Sequence, residues 1–255
     1  DRSVRCWGAG TGTPALVSLG SEVAALAISS GHRCVVGTGG DVRCWGSNSQ
    51  GQLGDGTTEN RSSPVQVLGL ASGVIDLSTF TDHTCAVLGN GEVRCWGYNG
   101  EGRLGNGDMG ALLRQPSPIP VAGLATGVAA VTTKSRHTCA LTQSGAISCW
   151  GDNTYGQLGD GSTTTRREPV AVTGLASSMT AIAGGDNHTC ALADTGAVWC
   201  WGWNVNGELG DGTLVSRTTP VEVNNLPHTV LAVDAGADHT CALMSDRTVR
   251  CWGLP

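Results

Sequence analysis

Cysteine is the residue type in this sequence whose spacing points most directly to chemistry. Ten of the eleven cysteines form five pairs whose members lie ten positions apart. The pairs are Cys34 and Cys44, Cys85 and Cys95, Cys139 and Cys149, Cys190 and Cys200, and Cys241 and Cys251. In a hairpin such as CAVLGNGEVRC the turn falls at Asn90, so Cys85 and Cys95 face each other on adjacent antiparallel strands, with Cα atoms about 4.5–5.5 Å apart. That distance permits a disulfide bond.

Five recurrences of one geometry predict five disulfide bonds. Disulfides persist in oxidising compartments, so the pattern favours an extracellular or cell-surface location. Two alternatives compete with this interpretation: reduced cysteines used as small core hydrophobes, and zinc bound by the recurring His-x-Cys segment with the second Cys. Zinc is disfavoured, because each repeat would supply only a partial, three-ligand site and the hairpin already satisfies the thiols.

Cys6 is left over, because a partner ten positions earlier would precede the first residue. The octapeptide DRSVRCWG around Cys6 also matches DRTVRCWG, which begins at Asp246. We therefore expect the sequence to begin inside a repeat of a longer protein, with Cys6 unpaired here. An upstream partner and a bond to another chain are the alternatives for this thiol.

Histidine and aspartate also recur once per repeat, and both invite interpretation as metal ligands. The repeated histidines are His32, His83, His137, His188 and His239. A residue present in every repeat is expected to hydrogen-bond to a neighbouring repeat rather than to act as a titrating group. Asp55, Asp160 and Asp211 offer about one carboxylate per loop, whereas calcium takes six to eight oxygen ligands. Without a catalytic triad order, a carboxylate pair or a phosphate loop, the sequence predicts no enzyme, no metal site and no cofactor.

Composition disfavours two further classes of function. Fifteen cationic residues against twenty-one acidic ones give a net charge of −6, and Lys134 is the only lysine. No basic patch is therefore available for nucleic acid. The sequence also has no run of eighteen apolar residues, so we expect no membrane insertion.

The elements that would position these residues repeat at a nearly fixed period. Cys-Trp-Gly begins at Cys6, Cys44, Cys95, Cys149, Cys200 and Cys251, and the last five are separated by 51, 54, 51 and 51 residues. Four of these tripeptides lead into the pattern G-x-N-x-x-G-x-L-G-[DN]-G. Each unit reads as four short apolar strands, and four-stranded units of this period pack radially. The sequence therefore predicts an all-β fold, a β-propeller whose repeated Trp fills the wedge between blades.

We expect residues 1–255 to form a single propeller domain with five near-complete blades. Residues 1–20 would be the trailing strands of an incomplete blade. Four repeats would span residues 21–70, 71–122, 123–173 and 174–224, and residues 225–255 would be a final blade lacking its last strand.

Several motifs together resemble the regulator of chromosome condensation repeat family over nearly the whole chain. They are Cys-Trp-Gly, Gly-Gln-Leu-Gly-Asp-Gly-Thr, His-Thr-Cys-Ala-Leu and an Arg shortly before a Pro-containing strand. The resemblance implies a propeller that usually has seven blades, so this chain would form part of such a ring. The GTPase exchange and chromatin docking known in the family are not expected here, because of the acidic balance and the cysteine pairs.

Individual function is expected where one blade differs from the others, on loops held by a rigid frame. Tyr98 and Trp203 stand where other repeats have Ser47 and Asp152. Exposed aromatic residues and arginines are enriched in interface hot spots. The predicted binding residues are Trp203, Tyr98, Tyr155, Trp199, Arg103 and Arg167. Local packing under a loop is the alternative for each of them.

We therefore predict an extracellular or cell-surface protein-interaction scaffold that binds a macromolecular partner through one propeller rim. One alternative is a structural subunit of an extracellular filament or envelope assembly, joined by edge strands or by Cys6. A further alternative is a glycan-binding propeller in which Trp203 and Tyr98 are stacking platforms.

Overall fold

The computed structural model describes residues 3–8, 11–20, 22–108, 113–175, 177–227 and 229–254. These residues form antiparallel strands and one 3₁₀ turn, Gly100–Gly102. The prediction of an all-β fold is confirmed. Within the described ranges, no helix has the length and apolar character needed to cross a membrane.

Six sheets follow one another along the chain, and we number them 1 to 6. Sheet 1 contains β1 (Val4–Gly8) and β2 (Thr11–Val17), and sheet 2 contains β3 (Val23–Ile28), β4 (His32–Gly37), β5 (Val42–Gly46) and β6 (Arg61–Gln66). Sheet 3 contains β7 (Val74–Phe80), β8 (His83–Leu88), β9 (Val93–Tyr98) and β10 (Arg114–Pro120).

The second half of the chain continues this pattern. Sheet 4 contains β11 (Val128–Thr133), β12 (His137–Thr142), β13 (Ile147–Gly151) and β14 (Arg166–Ala171). Sheet 5 contains β15 (Met179–Gly184), β16 (His188–Ala193), β17 (Val198–Gly202) and β18 (Arg217–Glu222), and sheet 6 contains β19 (Val230–Ala235), β20 (His239–Met244) and β21 (Val249–Gly253). The predicted four-stranded blades are confirmed in sheets 2 to 5.

The sheets are arranged as propeller blades. Within each sheet, consecutive strands are hydrogen-bonded neighbours, so every sheet is a simple antiparallel meander. From sheet 2 onwards, the first strand of each sheet packs against the first strand of the next. The first strands are therefore innermost, and the remaining strands of each blade lie progressively further out.

The cysteine pairs join the two middle strands of each blade. The register places Cys85 opposite Cys95, and the equivalent residues pair in the other blades. All five predicted disulfides are formed, with Cα separations of 4.0–4.1 Å. Among the described residues Cys6 is the one free cysteine, half-buried against Val4, Leu19 and Trp45.

One hydrogen-bonded unit, which we call the interblade latch, joins successive blades. In the latch between sheets 3 and 4, His83 Nε2 lies 3.1 Å from Thr138 Oγ1. The Thr138 hydroxyl donates to the carbonyl oxygen of Arg103 at 2.9 Å, and the indole N–H of Trp150 donates to the same oxygen at 2.8 Å. Because the threonine hydrogen is committed to the carbonyl, His83 must donate from Nε2.

The latch recurs at three other blade interfaces with equivalent residues. These sets are His32, Thr84, Gln52 and Trp96; His137, Thr189, Gln157 and Trp201; and His188, Thr240, Glu208 and Trp252. Trp96, Trp150 and Trp201 are fully buried between sheets. The four histidines and four tryptophans of the latches are therefore structural, as expected from their recurrence, whereas His239 is exposed.

Candidate functional site

Four long loops and the turns beside them form one end of the described blades, which we call the rim. The loops connect the third strand to the fourth in sheets 2 to 5, and their described residues are 47–60, 99–108 with 113, 152–165 and 203–216. The turn between the first and second strands ends at the same side, because the meander is antiparallel. In sheet 5 the rim loop is hydrogen-bonded to this turn, since Trp203 N donates to the carbonyl of Asn187 at 2.9 Å.

An asparagine holds each rim loop in shape from inside. Asn204 Oδ1 accepts from Leu209 N at 2.9 Å, while its Nδ2 donates to Asp211 Oδ1 at 3.2 Å and to the carbonyl of Thr213 at 3.1 Å. Arg217 closes the loop with an ion pair to Asp211 at 2.9 Å. Asn48 and Asn153 make the same contacts in sheets 2 and 4.

The aspartates of these loops form hydrogen bonds and ion pairs with residues of their own loop. Burial by itself raises the pKa of Asp211, but hydrogen bonds from Thr213, Arg217 and Asn204 outweigh it and hold the pKa below its ordinary value. Asp55 and Asp160 have the same surroundings and the same direction of shift. Among the described residues, no group of three or more His, Cys, Asp or Glu side chains could hold a metal ion.

Arg103 does not face solvent, so the expectation of an exposed arginine at this position is wrong. Its guanidinium is ion-paired with Glu101, donates to the carbonyls of Gly100 at 3.0 Å and Ser135 at 2.8 Å, and lies 4.8 Å from the centre of the Tyr98 ring. The side chain is 4% exposed. Arg103 therefore positions Tyr98, which remains half-buried on the sheet 3 loop.

Trp199 is also less available than its sequence position indicates. It lies opposite Ala191 on β16 and Glu222 on β18, and it packs against the core cluster between sheets 4 and 5. The side chain is half-buried, so part of the indole remains accessible at this predicted binding residue. Arg167 is exposed, and its guanidinium reaches the carbonyl of Asp108 on the adjacent loop at 3.4 Å.

Tyr155 and Trp203 lie together at the junction of sheets 4 and 5. Their ring centres are 4.4 Å apart with an interplanar angle of 65°, an edge-to-face contact. Both side chains are half-buried. The structure thus brings two of the predicted binding residues into one cluster, while Tyr98 lies on the loop of sheet 3.

Three aliphatic residues that sequence reasoning missed lie on the loop of Trp203, where Asn204 Nδ2 donates to the carbonyl of Val215 at 3.1 Å. Val205, Leu214 and Val215 belong to the same loop as Trp203 and are 49%, 65% and 58% exposed. We call Tyr155, Trp203, Val205, Leu214 and Val215 the apolar rim patch. An alignment of the loops by repeat contains the signal: Leu214 replaces Thr58 and Thr163, Val215 replaces Glu59 and Thr164, and Val205 replaces Ser49 and Thr154.

Known proteins share the repeat and the fold of this chain. A family model described as the RCC1-like domain matches residues 7–255. The chain belongs to the RCC1-like domain family. Among curated relatives, it is 33% identical over 241 residues to the ultraviolet-B receptor UVR8 of Arabidopsis thaliana, covering 92% of this chain and 53% of the receptor. It is 31% identical to the mitochondrial RCC1 domain-containing protein RUG3 of the same plant, covering 88% of this chain and 54% of that protein.

This RCC1-like chain spans about half the length of both plant relatives. Solved structures support the fold: human WBSCR16 superposes with a TM-score of 0.83 at 24% identity, covering 95% of this chain and 64% of that one. Yeast RCC1 (Prp20), bound to Kap60, superposes with a TM-score of 0.59 at 20% identity, covering 91% and 70%. A second structure of Prp20p is described with its binding to Gsp1p and histones. The fold family is thus one of protein-interaction scaffolds.

Proposed function

We propose that this RCC1-like chain is a protein-interaction module that contacts its partner through the apolar rim patch. The observation that carries the proposal is the exposure of Leu214, Val215 and Val205 on the loop of Trp203, whose counterparts in sheets 2 and 4 carry polar residues at the three aliphatic positions. Contiguous exposed apolar side chains mark interaction surfaces, and a buried aromatic anchor dominates the affinity of many interfaces.

The frame of the loop supports this function energetically. Asn204 and the Asp211–Arg217 ion pair hold the loop in one shape before any partner arrives. A partner that binds to a preorganised surface loses less conformational entropy, so more of the apolar burial appears as affinity.

The oxidising location belongs to the same proposal. Eight of the ten paired cysteines have no exposed surface, so the disulfides of sheets 2 to 5 are part of the blade cores. We propose a secreted or cell-surface module on this basis. When the protein from its native source is unfolded without reduction and alkylated, peptide mass mapping should find the ten paired cysteines unlabelled. Labelling of all eleven cysteines would contradict the oxidising location.

A photo-crosslinking experiment tests the rim patch. The benzoylphenylalanine amino acid is introduced at position 214 in one variant and at the sibling position 163 in another, and each is irradiated with material from the native source. We expect discrete adducts from position 214 and none from position 163. Equal labelling from both positions would contradict the assignment of the patch. A dimeric adduct at position 214 would identify a second copy of the chain as the partner.

A further inference from the structure

A pair of carboxylates borders the apolar rim patch. The turn 185–187 contacts the patch through the hydrogen bond from Trp203 N to Asn187 O, and on its other side Asp186 N donates to the carbonyl of Ala237 at 3.0 Å. Asp186 therefore lies on the turn next to the patch, and Asp238 lies on the adjacent turn beyond it. Other sheets have Ser30, Thr81 and Ser135 at the position of Asp186, so this acidic residue is particular to sheet 5.

The surroundings of Asp186 disfavour its negative charge. Burial raises the pKa of Asp186, the like charge of Asp238 raises it further, and Lys134 opposes both effects only in part. The Lys134 ammonium donates to the carbonyl of Ala235 at 3.0 Å. Asp186 Oδ1 is buried and has no hydrogen-bond partner among the described residues. These carboxylates differ from Asp211, whose oxygens are bound by Thr213 and Arg217.

We infer that the partner segment carries an apolar side chain, which packs on Trp203 and Leu214, flanked by a lysine or arginine that pairs with Asp186 and Asp238. This inference rests on the proposed function, since it names the chemistry of the partner at the same rim patch. A cation placed beside the two carboxylates relieves their mutual repulsion and forms charge-assisted hydrogen bonds. The net charge of −6 on the chain also favours the approach of a positively charged partner segment.

Three synthetic peptides test the inference without knowledge of the natural partner. They share a Leu-Trp-Leu core and are flanked on both sides by arginine, by glutamine or by glutamate, and binding to the full chain is measured by fluorescence anisotropy at low salt. We expect the arginine peptide to bind best and the glutamate peptide to bind worst. Asp186→Asn and Asp238→Asn should each lower the affinity ratio of the arginine to the glutamine peptide by about twofold to fivefold.

Asp194→Asn is the matched control, because it removes the same charge from an exposed turn at the opposite end of sheet 5. It should leave the peptide ratio unchanged. If Asp194→Asn lowers the ratio as much as Asp186→Asn does, the effect is one of overall charge and the inference is overturned. Equal affinities of the three peptides for the unmodified chain would overturn it as well.

Trp203→Ser separates the inference from the proposed function. Ser47 stands at this position in sheet 2, so the frame of the loop tolerates serine. We expect Trp203→Ser to weaken all three peptides by a similar factor. If it does so while Asp186→Asn leaves the ratio unchanged, the partner chemistry is wrong and the rim patch stands. If Trp203→Ser has no effect, or no peptide binds with a Kd below about 1 mM, the rim patch itself is wrong.

Discussion

The rim loops of sheets 4 and 5 share one internal frame and present different surfaces. In both, an asparagine ties the two halves together, and an Asp–Arg ion pair closes the loop, with Asp160 and Arg166 in sheet 4 and Asp211 and Arg217 in sheet 5. At the exposed tips of the loops, the sheet 4 loop has Thr163 and Thr164 where the sheet 5 loop has Leu214 and Val215. The buried polar groups that fold the loop are constrained, whereas the exposed tips can differ without loss of the frame, which is why the proposed binding surface lies on the tips.

The largest expected effect comes from acid, which acts on the histidines of the interblade latches that support both loops. Burial lowers the pKa of His32 and His137 to about 4 and that of His188 to about 3, and that of His83 well below its ordinary value of 6.5. As the pH falls below about 6.5, the unfolded chain binds protons that the folded chain does not. Stability is therefore complete above that pH and falls by about 1.4 kcal/mol per pH unit for each latch histidine until its folded-state pKa is reached.

Urea unfolding followed between pH 7 and pH 4 measures this slope. His137→Gln should flatten it by about one proton, because glutamine can still donate to Thr189 but does not titrate. His239→Gln is the control, since His239 is exposed in the described structure. A slope that is insensitive to His137→Gln, or as sensitive to His239→Gln, would show that the latch histidines do not carry the acid response.

Breaking one latch should weaken one loop selectively. The Trp201 indole fills the space between sheets 4 and 5 and donates to the Gln157 carbonyl in the sheet 4 loop at 2.9 Å. Trp201→Ala should cost about 3–5 kcal/mol of unfolding free energy and increase amide hydrogen exchange in residues 152–165. If exchange increases equally in residues 47–60, the latch does not act on its own loop.

Removing one ion pair should have a smaller effect that is equal in both loops. Asp160→Asn and Asp211→Asn each replace a nearly buried carboxylate that accepts from an arginine, a hydroxyl and an asparagine. We expect each to lower the unfolding free energy by about 1–2 kcal/mol, measured by thermal unfolding. A large difference between the two variants would mean that the frames are not equivalent.

Exchanging the tips should leave stability nearly unchanged and alter binding. Leu214→Thr with Val215→Thr installs the sheet 4 residues on an exposed loop, so the unfolding free energy should change by less than about 0.5 kcal/mol. Binding of the three peptides at the sheet 5 rim should fall. A loss of stability above that range would place these side chains in the frame rather than on the interaction surface.

The disulfides and blades follow from local spacing. Cys85 and Cys95 face each other because a hairpin with a fixed turn leaves no other register, and the same argument holds at every repeat. The pairing could therefore be predicted without any knowledge of how the blades pack. The recurrence of His83 also predicts a contact between blades. It does not predict the partner, Thr138, which lies 55 residues away in the sequence.

The availability of individual side chains did not follow from spacing. The sequence predicts both Arg103 and Arg167 as contact residues. In the structure Arg103 is buried against Tyr98, whereas Arg167 is exposed. Leu214 and Val215 do not stand out in the sequence, because aliphatic residues in a β-rich chain normally belong to the core. Exposure depends on which neighbouring loop covers a residue, and that neighbour lies about fifty residues away in the sequence.

The sequence by itself thus determined the repeat, the all-β fold, the cysteine pairing and the family, because each depends on contacts within one repeat of the chain. Only the tertiary structure decided which residues of different blades meet at the rim. The Tyr155–Trp203 contact and the adjacency of Asp186 and Asp238 join different blades, and their geometry is set by the latches that fix one blade against the next.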